Sequence, residues 1–175
     1  MTKVFKGTSP LAVLADRLPV PARIGLAVVA VHLALDHLKD SPIFPFALAA
    51  FELARSWYEG KRFDPRQLED SIASEDDEGA AYCIAEATSE EERSAWNALV
   101  SAILYVAFQA YRTLGQYPGA LLSEVSDDAL DEVDKPLRKI LPGFMTIMRK
   151  AAEYLKQEPG ASFAQLKSRI SQPGE

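Results

Sequence analysis

The strongest structural signal in this sequence lies in residues 89–114, which read SEEERSAWNALVSAILYVAFQAYRTL. Ser89 followed by three glutamates has the pattern of a capping box, in which serine and a glutamate three residues later bond backbone N–H groups at a helix start. The same glutamates complement the positive end of the helix dipole. The pattern therefore predicts a helix that begins at Ser89 and runs to Leu114.

Apolar residues cover more than one face of this predicted helix. A helix that is apolar nearly all round is a buried one, so we expect it at the centre of the fold. At about 1.5 Å per residue it would be about 39 Å long, enough for the other helices to pack around it. The first apolar stripe consists of Trp96, Leu99, Val100, Ile103, Ala107, Ala110, Tyr111 and Leu114, and the opposite face holds Ala98, Ala102, Leu104 and Phe108.

Proline and glycine divide the rest of the chain into further helical segments and leave no convincing strand. Short connections between helices imply mostly antiparallel neighbours. The sequence thus predicts an all-α fold, a single-domain helical bundle of about seven helices around the central apolar helix at about 89–114. Residues 1–18 are expected to form a loosely packed N-terminal arm, and residues 171–175 a flexible tail. The predicted helices span residues 21–39, 46–59, 64–73, 89–114, 126–140, 144–157 and 162–170.

Composition indicates an ordinary globular protein. Of the 175 residues, 48% are hydrophobic and 25% charged, which is typical of a folded domain. Cys83 is the single cysteine, so internal disulfides and the Cys/His clusters of structural zinc sites are excluded. The longest apolar stretch, from Ile24 to Leu35, is too short for a membrane span and is interrupted by His32. With no secretory signal pattern at the N-terminus, we predict a cytoplasmic protein without membrane contact.

Motifs that carry chemistry are missing from the sequence. There is no Gly-x-Ser-x-Gly elbow, phosphate loop or dinucleotide glycine fingerprint. Neither His32 nor His37 has a glutamate three residues before it, as a di-iron bundle requires. We therefore predict no catalytic residue, no cofactor, no metal site and no enzymatic activity. One enzymatic alternative stays open: a small helical enzyme that uses His32 and Asp36 with carboxylates from elsewhere in the chain.

Charge is strongly segregated along the chain. Residues 64–134 hold 17 acidic and three basic residues, a net charge of −14, whereas the remaining residues carry +8 and the whole chain −6. Carboxylates at helix starts explain part of this excess. The others repel one another at ordinary salt, which opposes the compact state. The partner-binding candidates among them are Glu69, Asp70, Glu75, Asp76, Asp77, Glu78, Glu124, Asp131, Glu132 and Asp134.

Segregation of this extent favours a docking surface for a basic partner, although an acidic face kept only for solubility stays open. Carboxylates would speed the encounter with a positively charged protein, while apolar anchors would set the dissociation rate. They would also compete for the lysines and arginines that hold phosphates in a basic cleft. Nucleic acid is not predicted as a partner. The basic residues Arg55, Lys61 and Arg62 lie close to Glu59 and Asp64 in a chain of net negative charge.

Several segments resemble one all-helical group of immunity proteins from bacterial polymorphic toxin systems. The resemblance covers about Phe46 to Leu141. It implies a non-enzymatic, cytoplasmic inhibitor that binds a toxin encoded beside it, at the toxin's active site or substrate entrance, and it brings no catalytic residue. Trp96 and Tyr111 match the pattern, but a place on the central helix predicts a core role for both. The matching segments are SAWNAL at 94–99, YVAFQAY at 105–111, Tyr117-Pro118 and EVSDD at 124–128.

The functional hypothesis is an immunity protein that neutralises a cognate toxin by occluding a basic active-site cleft through an acidic surface. The alternative is an acidic helical adaptor or regulatory binding module without enzymatic activity.

Overall fold

The computed structural model describes residues 9–72, 80–119, 122, 125 and 127–173, and within them it contains nine α-helices and no strand. The predicted all-α bundle is therefore confirmed. A short 3₁₀ helix, Asp127–Leu130, leads into α7. The helices are α1 (Pro10–Asp16), α2 (Val20–Asp36), α3 (Phe44–Tyr58), α4 (Arg66–Asp70), α5 (Ala80–Glu86), α6 (Glu90–Leu114), α7 (Asp131–Ile140), α8 (Phe144–Gln157) and α9 (Phe163–Ser171).

Two helices share the centre of the bundle. The predicted central helix α6 buries Trp96, Leu99 and Ile103 completely. It packs along α2, in which every residue from 24 to 31 is buried. Around this pair, α3 and α8 pack on α2, whereas α4, α5 and α7 pack on α6. The core thus has a two-helix axis, because the apolar residues of α2 also occupy all of its faces.

The predicted ends of α6 agree with the structure, and one detail of the cap differs. The N–H of Glu92 donates to the Ser89 hydroxyl at 3.0 Å, and Gly115 ends the helix in the left-handed region, at φ 63°. The Glu92 carboxylate turns to Thr88, whose N–H donates to it at 2.9 Å, and to Ser41, whose hydroxyl donates at 2.6 Å. Since Ser41 follows α2, the glutamate that was expected to close a local cap also ties α6 to the α2–α3 connection.

The N-terminal segment expected as a loose arm contains the helix α1. Ser9 caps this helix by accepting the N–H of Ala12 at 3.2 Å. Leu11, Ala12 and Ala15 are buried, because α1 packs against α8 and α7. Residues 1–8 lie outside the described part of the chain. At the other terminus, Ser171 belongs to α9 and residues 174–175 are not described.

Across residues 9–72, 80–119 and 127–173, no helix has both the length and the apolar character that crossing a membrane requires.

Candidate functional site

The ten predicted partner-binding carboxylates fall into four groups. Glu75, Asp76, Asp77, Glu78 and Glu124 lie outside the described residues. Glu69 and Asp134 are buried, Asp131 is half-buried, and Asp70 and Glu132 are exposed.

Glu69 ties α4 to the central helix. Its side chain is only 8% exposed, and its carboxylate accepts a hydrogen bond from the Tyr111 hydroxyl on α6. Burial, followed by this hydrogen bond, raises the pKa of Tyr111 well above its ordinary value, so the phenol stays protonated and can donate. A carboxylate held in this way is part of the fold and presents little charge to a partner.

Asp134 on α7 has a similar structural role. With 1% of its surface exposed, it accepts the N–H of Leu11 at 3.0 Å and pairs with Arg138 at 2.6 Å. Asp131, one turn earlier on α7, accepts the N–H of Ser9 at 2.9 Å. These two carboxylates therefore hold α1 against α7.

The exposed candidates lie on different elements. Asp70 ends α4. Asp64 precedes the same helix, and its carboxylate accepts the N–H of Arg66 at 3.0 Å. Glu132 lies in the first turn of α7, in the α6–α7 groove that Arg93, Lys135 and Lys139 also line. Asp64 and Asp70 thus flank one short helix, whereas Glu132 shares its groove with three of the protein's own cations.

The carboxylates at the start of α6 are paired within the chain. Glu90 contacts Arg93 at 2.7 Å and Lys139 at 3.4 Å. Glu91 contacts His37 at 2.8 Å. The negative charge at this end of α6 is therefore partly neutralised. By contrast, Asp64 and Asp70 have no ion pair among the described residues, although Arg66 lies between them on α4.

Cys83, His32 and Asp36 are the described residues with potential chemistry, and each has a distinct environment. Among the described residues, no three histidine, cysteine or acidic side chains come together in a group that could hold a metal ion. Cys83 is buried, and burial raises the pKa of its thiol to about 11, so the nucleophilic thiolate is disfavoured. Asp36 is engaged by Lys39 at 2.6 Å, and burial lowers the pKa of His32. The pair named in the enzymatic alternative thus consists of a neutral histidine and an ion-paired aspartate.

An open groove between α3 and α9, floored by the C-terminal half of α2, is a feature that the sequence analysis missed. It encloses about 690 Å³ and will be called the α3–α9 groove. A signal was present, because Phe44, Leu48 and Phe51 form an apolar stripe at helical spacing on α3. The groove is lined by His32, Leu35, Asp36, Lys39, Phe44, Leu48, Phe51, Glu52, Arg55, Glu59, Phe163, Ala164, Lys167 and Ser171.

Comparison with known proteins identifies the family. A family model described as Immunity protein Imm6 matches residues 22–140, from the first turn of α2 to the end of α7. No curated protein and no solved structure matches the chain. The resemblance inferred from residues 46–141 is confirmed, and the match extends it to include α2. Since the matched segment spans more than half of the 175 residues, the chain belongs to the Imm6 family of immunity proteins.

Proposed function

We propose that this immunity protein neutralises its cognate toxin by binding over a basic active-site cleft, and that the acidic middle of the chain attracts the toxin. Family membership supplies the class of partner. The observation that carries the finer proposal is the net charge of −14 in residues 64–134 against +8 elsewhere. A field of this kind accelerates encounter with a positively charged protein over distances of about the Debye length, ~8 Å at physiological salt.

The burial of Glu69 and Asp134 narrows the proposed contact region. Their carboxylates accept hydrogen bonds from the Tyr111 hydroxyl and from the N–H of Leu11, respectively. Asp64 and Asp70 are exposed and flank α4, which supports an attraction of the toxin to that end of α6. From the sequence, Glu75 to Glu78 and Glu124 remain candidates for the same contact.

Inhibition by occlusion requires no catalytic step from this chain. Carboxylates that meet lysines or arginines of a toxin cleft form charge-assisted hydrogen bonds in the positions that phosphate or other anionic substrate groups would occupy. The substrate is then excluded by volume and by charge. Non-enzymatic action and residence in the cytoplasm of the producing cell are both parts of this proposal, because protection has to occur where the toxin acts.

The deciding experiment uses the toxin domain encoded by the open reading frame next to this chain's gene. That domain is expressed in a bacterial host with and without the immunity protein, and growth is measured together with co-purification of the two chains. We expect growth to be restored and a stable complex to form, whereas a toxin domain from an unrelated system should remain lethal. If the toxin domain remained lethal and no complex formed, the proposal would be refuted. Capture of a housekeeping basic protein without protection would favour the adaptor hypothesis instead.

A further inference from the structure

The α3–α9 groove follows the whole length of one helix face. Its α3 wall is formed by Phe44, Leu48, Phe51, Arg55 and Glu59, whose spacing of three or four residues places them on one side of the helix. The 15 residues of α3 correspond to about 22 Å. The groove therefore has the length to receive a helix of several turns.

The opposite wall is one face of α9. Phe163, Lys167 and Ser171 recur at intervals of four residues along it. At one end, the Phe163 ring packs edge-on against Phe51, with centroids 5.3 Å apart, and the N–H of Phe163 donates to the Glu59 carboxylate at 3.3 Å. These contacts fix α9 near the C-terminal end of α3, and the groove continues from there towards Leu48 and Phe44.

Within the groove, an apolar strip on α3 remains accessible. Leu48 is 41% exposed, and Phe44 is partly exposed beside it. His32 packs against the rings of Phe51 and Phe163, at 5.8 and 5.4 Å, and burial lowers its pKa, so it is neutral near pH 7. Covering such a strip with apolar side chains of a partner is favourable, since it removes apolar surface from water.

The charges of the groove specify the chemistry of what fits there. Asp36, the last residue of α2, pairs with Lys39 at 2.6 Å. Glu52 pairs with Arg55 within α3, also at 2.6 Å. Glu59 and Lys167 have no ion pair among the described residues, but the Glu59 carboxylate accepts the N–H of Phe163, whereas the Lys167 ammonium is exposed on α9. The groove is thus complementary to an apolar segment that carries a carboxylate opposite Lys167.

We propose that the α3–α9 groove holds an amphipathic segment of the toxin, with apolar side chains on Phe44 and Leu48 and a carboxylate on Lys167. This inference rests on the proposed function and adds a second contact to it. The acidic surface governs how fast the toxin arrives, whereas the groove governs how long it stays. Helices laid into apolar grooves through residues at three- and four-residue spacing are a recurrent mode of peptide recognition.

The first test compares Leu48→Lys with Val13→Lys in binding kinetics against the inactivated toxin domain of the neighbouring gene. Val13 is a matched control, because it is 40% exposed, lies on α1 and gives the same change in charge. Leu48→Lys should raise the dissociation constant at least ~10-fold, almost entirely through faster dissociation, as loss of a central anchor does. Val13→Lys should bind as the wild type does, and thermal melts check that both variants fold.

The second test addresses the carboxylate. Lys167→Glu is compared with Lys156→Glu, an exposed lysine on α8 whose reversal changes the net charge equally. Lys167→Glu should dissociate faster, and Lys156→Glu should not. Equal dissociation rates for the two variants would show that no carboxylate of the toxin contacts Lys167.

The outcomes separate the groove from the proposed function. If the toxin binds the wild type and both Leu48→Lys and Val13→Lys with one affinity, the groove is not its anchor while neutralisation by binding stands. Failure of the wild type to bind overturns both. A concentration-dependent dimer of the wild type that Leu48→Lys abolishes, with toxin affinity unchanged, would assign the groove to a second copy of this chain and overturn the inference.

Discussion

Neighbouring carboxylates in this chain have opposite roles, and the difference arises from partners that are distant in sequence. Glu69 is buried against Tyr111, whereas Asp70 beside it is exposed. Glu132 is exposed, whereas Asp134 two residues later bonds the backbone of Leu11. Local sequence contains no sign of this division, because the hydrogen-bond donors come from helices 42 and 123 residues away.

Asp134→Ala should lower the free energy of unfolding by about 2 kcal/mol, because the substitution leaves the buried N–H of Leu11 without an acceptor. Urea denaturation of the purified variant measures the loss. Glu132→Ala on the same helix is the control and should change stability by less than about 0.5 kcal/mol. Equal losses in the two variants would contradict the structural role of Asp134.

Gly25→Ala should destabilise the bundle by about 1–3 kcal/mol, the usual cost of overpacking a filled site. A Cβ at this position on α2 would lie 2.7 Å from Cε2 of Tyr58. The ring cannot move freely, since its hydroxyl donates to the carbonyl of Ala161 at 2.5 Å. Thermal denaturation provides the comparison with Gly160→Ala, where an added Cβ meets no atom within 4 Å.

A double-mutant cycle identifies the cause of that loss. In a Tyr58→Ala background the ring is gone, so Gly25→Ala should cost much less than in the wild type. An undiminished cost would show that the glycine is required for a reason other than the Tyr58 contact.

At the scale of elements, Glu92 links the start of α6 to the α2–α3 connection, and this link should depend on pH. The hydrogen bond from Ser41, then that from Thr88, holds the pKa of Glu92 below its ordinary value. The unfolded chain binds the proton at higher pH than the folded one. The stabilisation is therefore complete above the unfolded pKa of about 4.3, and it is lost as pH falls through the lower folded value.

Glu92→Gln should accordingly flatten the fall in stability between about pH 5 and pH 3. Urea denaturation at several pH values gives the slope of that fall. Glu153→Gln, at an exposed position on α8, serves as the control and should retain the slope of the wild type. A wild-type slope in Glu92→Gln would show that this carboxylate does not contribute to the acid sensitivity.

Helices with strong end signals in the sequence were predictable, whereas the two seven-residue helices α1 and α5 were not. Ser89 and Gly115 bound α6 as expected. In contrast, α1 and α5 have seven residues each, too few for their own propensity to stabilise them. Ser9-Pro10 is a valid start signal for α1, yet the helix is held by buried Leu11 and by Asp134, which the local sequence does not reveal.

The candidate site was predictable only in its overall charge. Counting residues revealed the acidic middle, but which carboxylates are buried depends on the packing of α4 and α7 against α6. The α3–α9 groove depends on where α9 packs against α3, and these two segments are about 100 residues apart in sequence. Apolar periodicity shows that a helix face is covered by something, and it does not show how completely.

At the scale of the whole molecule, folding redistributes the charge that the sequence segregates. Lys139 of α7 and His37, which follows α2, reach Glu90 and Glu91 at the start of α6. The acidic residues at that end are thereby screened by the chain itself. Among the described residues, neither Asp64 nor Asp70 forms an ion pair, so we expect a stronger negative field beside α4 than at the start of α6.

This uneven field predicts a difference between two pairs of substitutions that remove the same charge. Asp64→Asn with Asp70→Asn should slow toxin association several-fold at low salt, reduce its dependence on ionic strength and leave dissociation unchanged. Asparagine retains a side-chain oxygen that can accept the N–H of Arg66, so folding should be preserved. Glu90→Gln with Glu91→Gln should have a smaller effect, because those carboxylates already contact Arg93 and His37. Stopped-flow association over a range of salt concentrations measures both pairs. If they slow association equally, only the net charge of the chain matters to the encounter, and the α4 end has no special part in it.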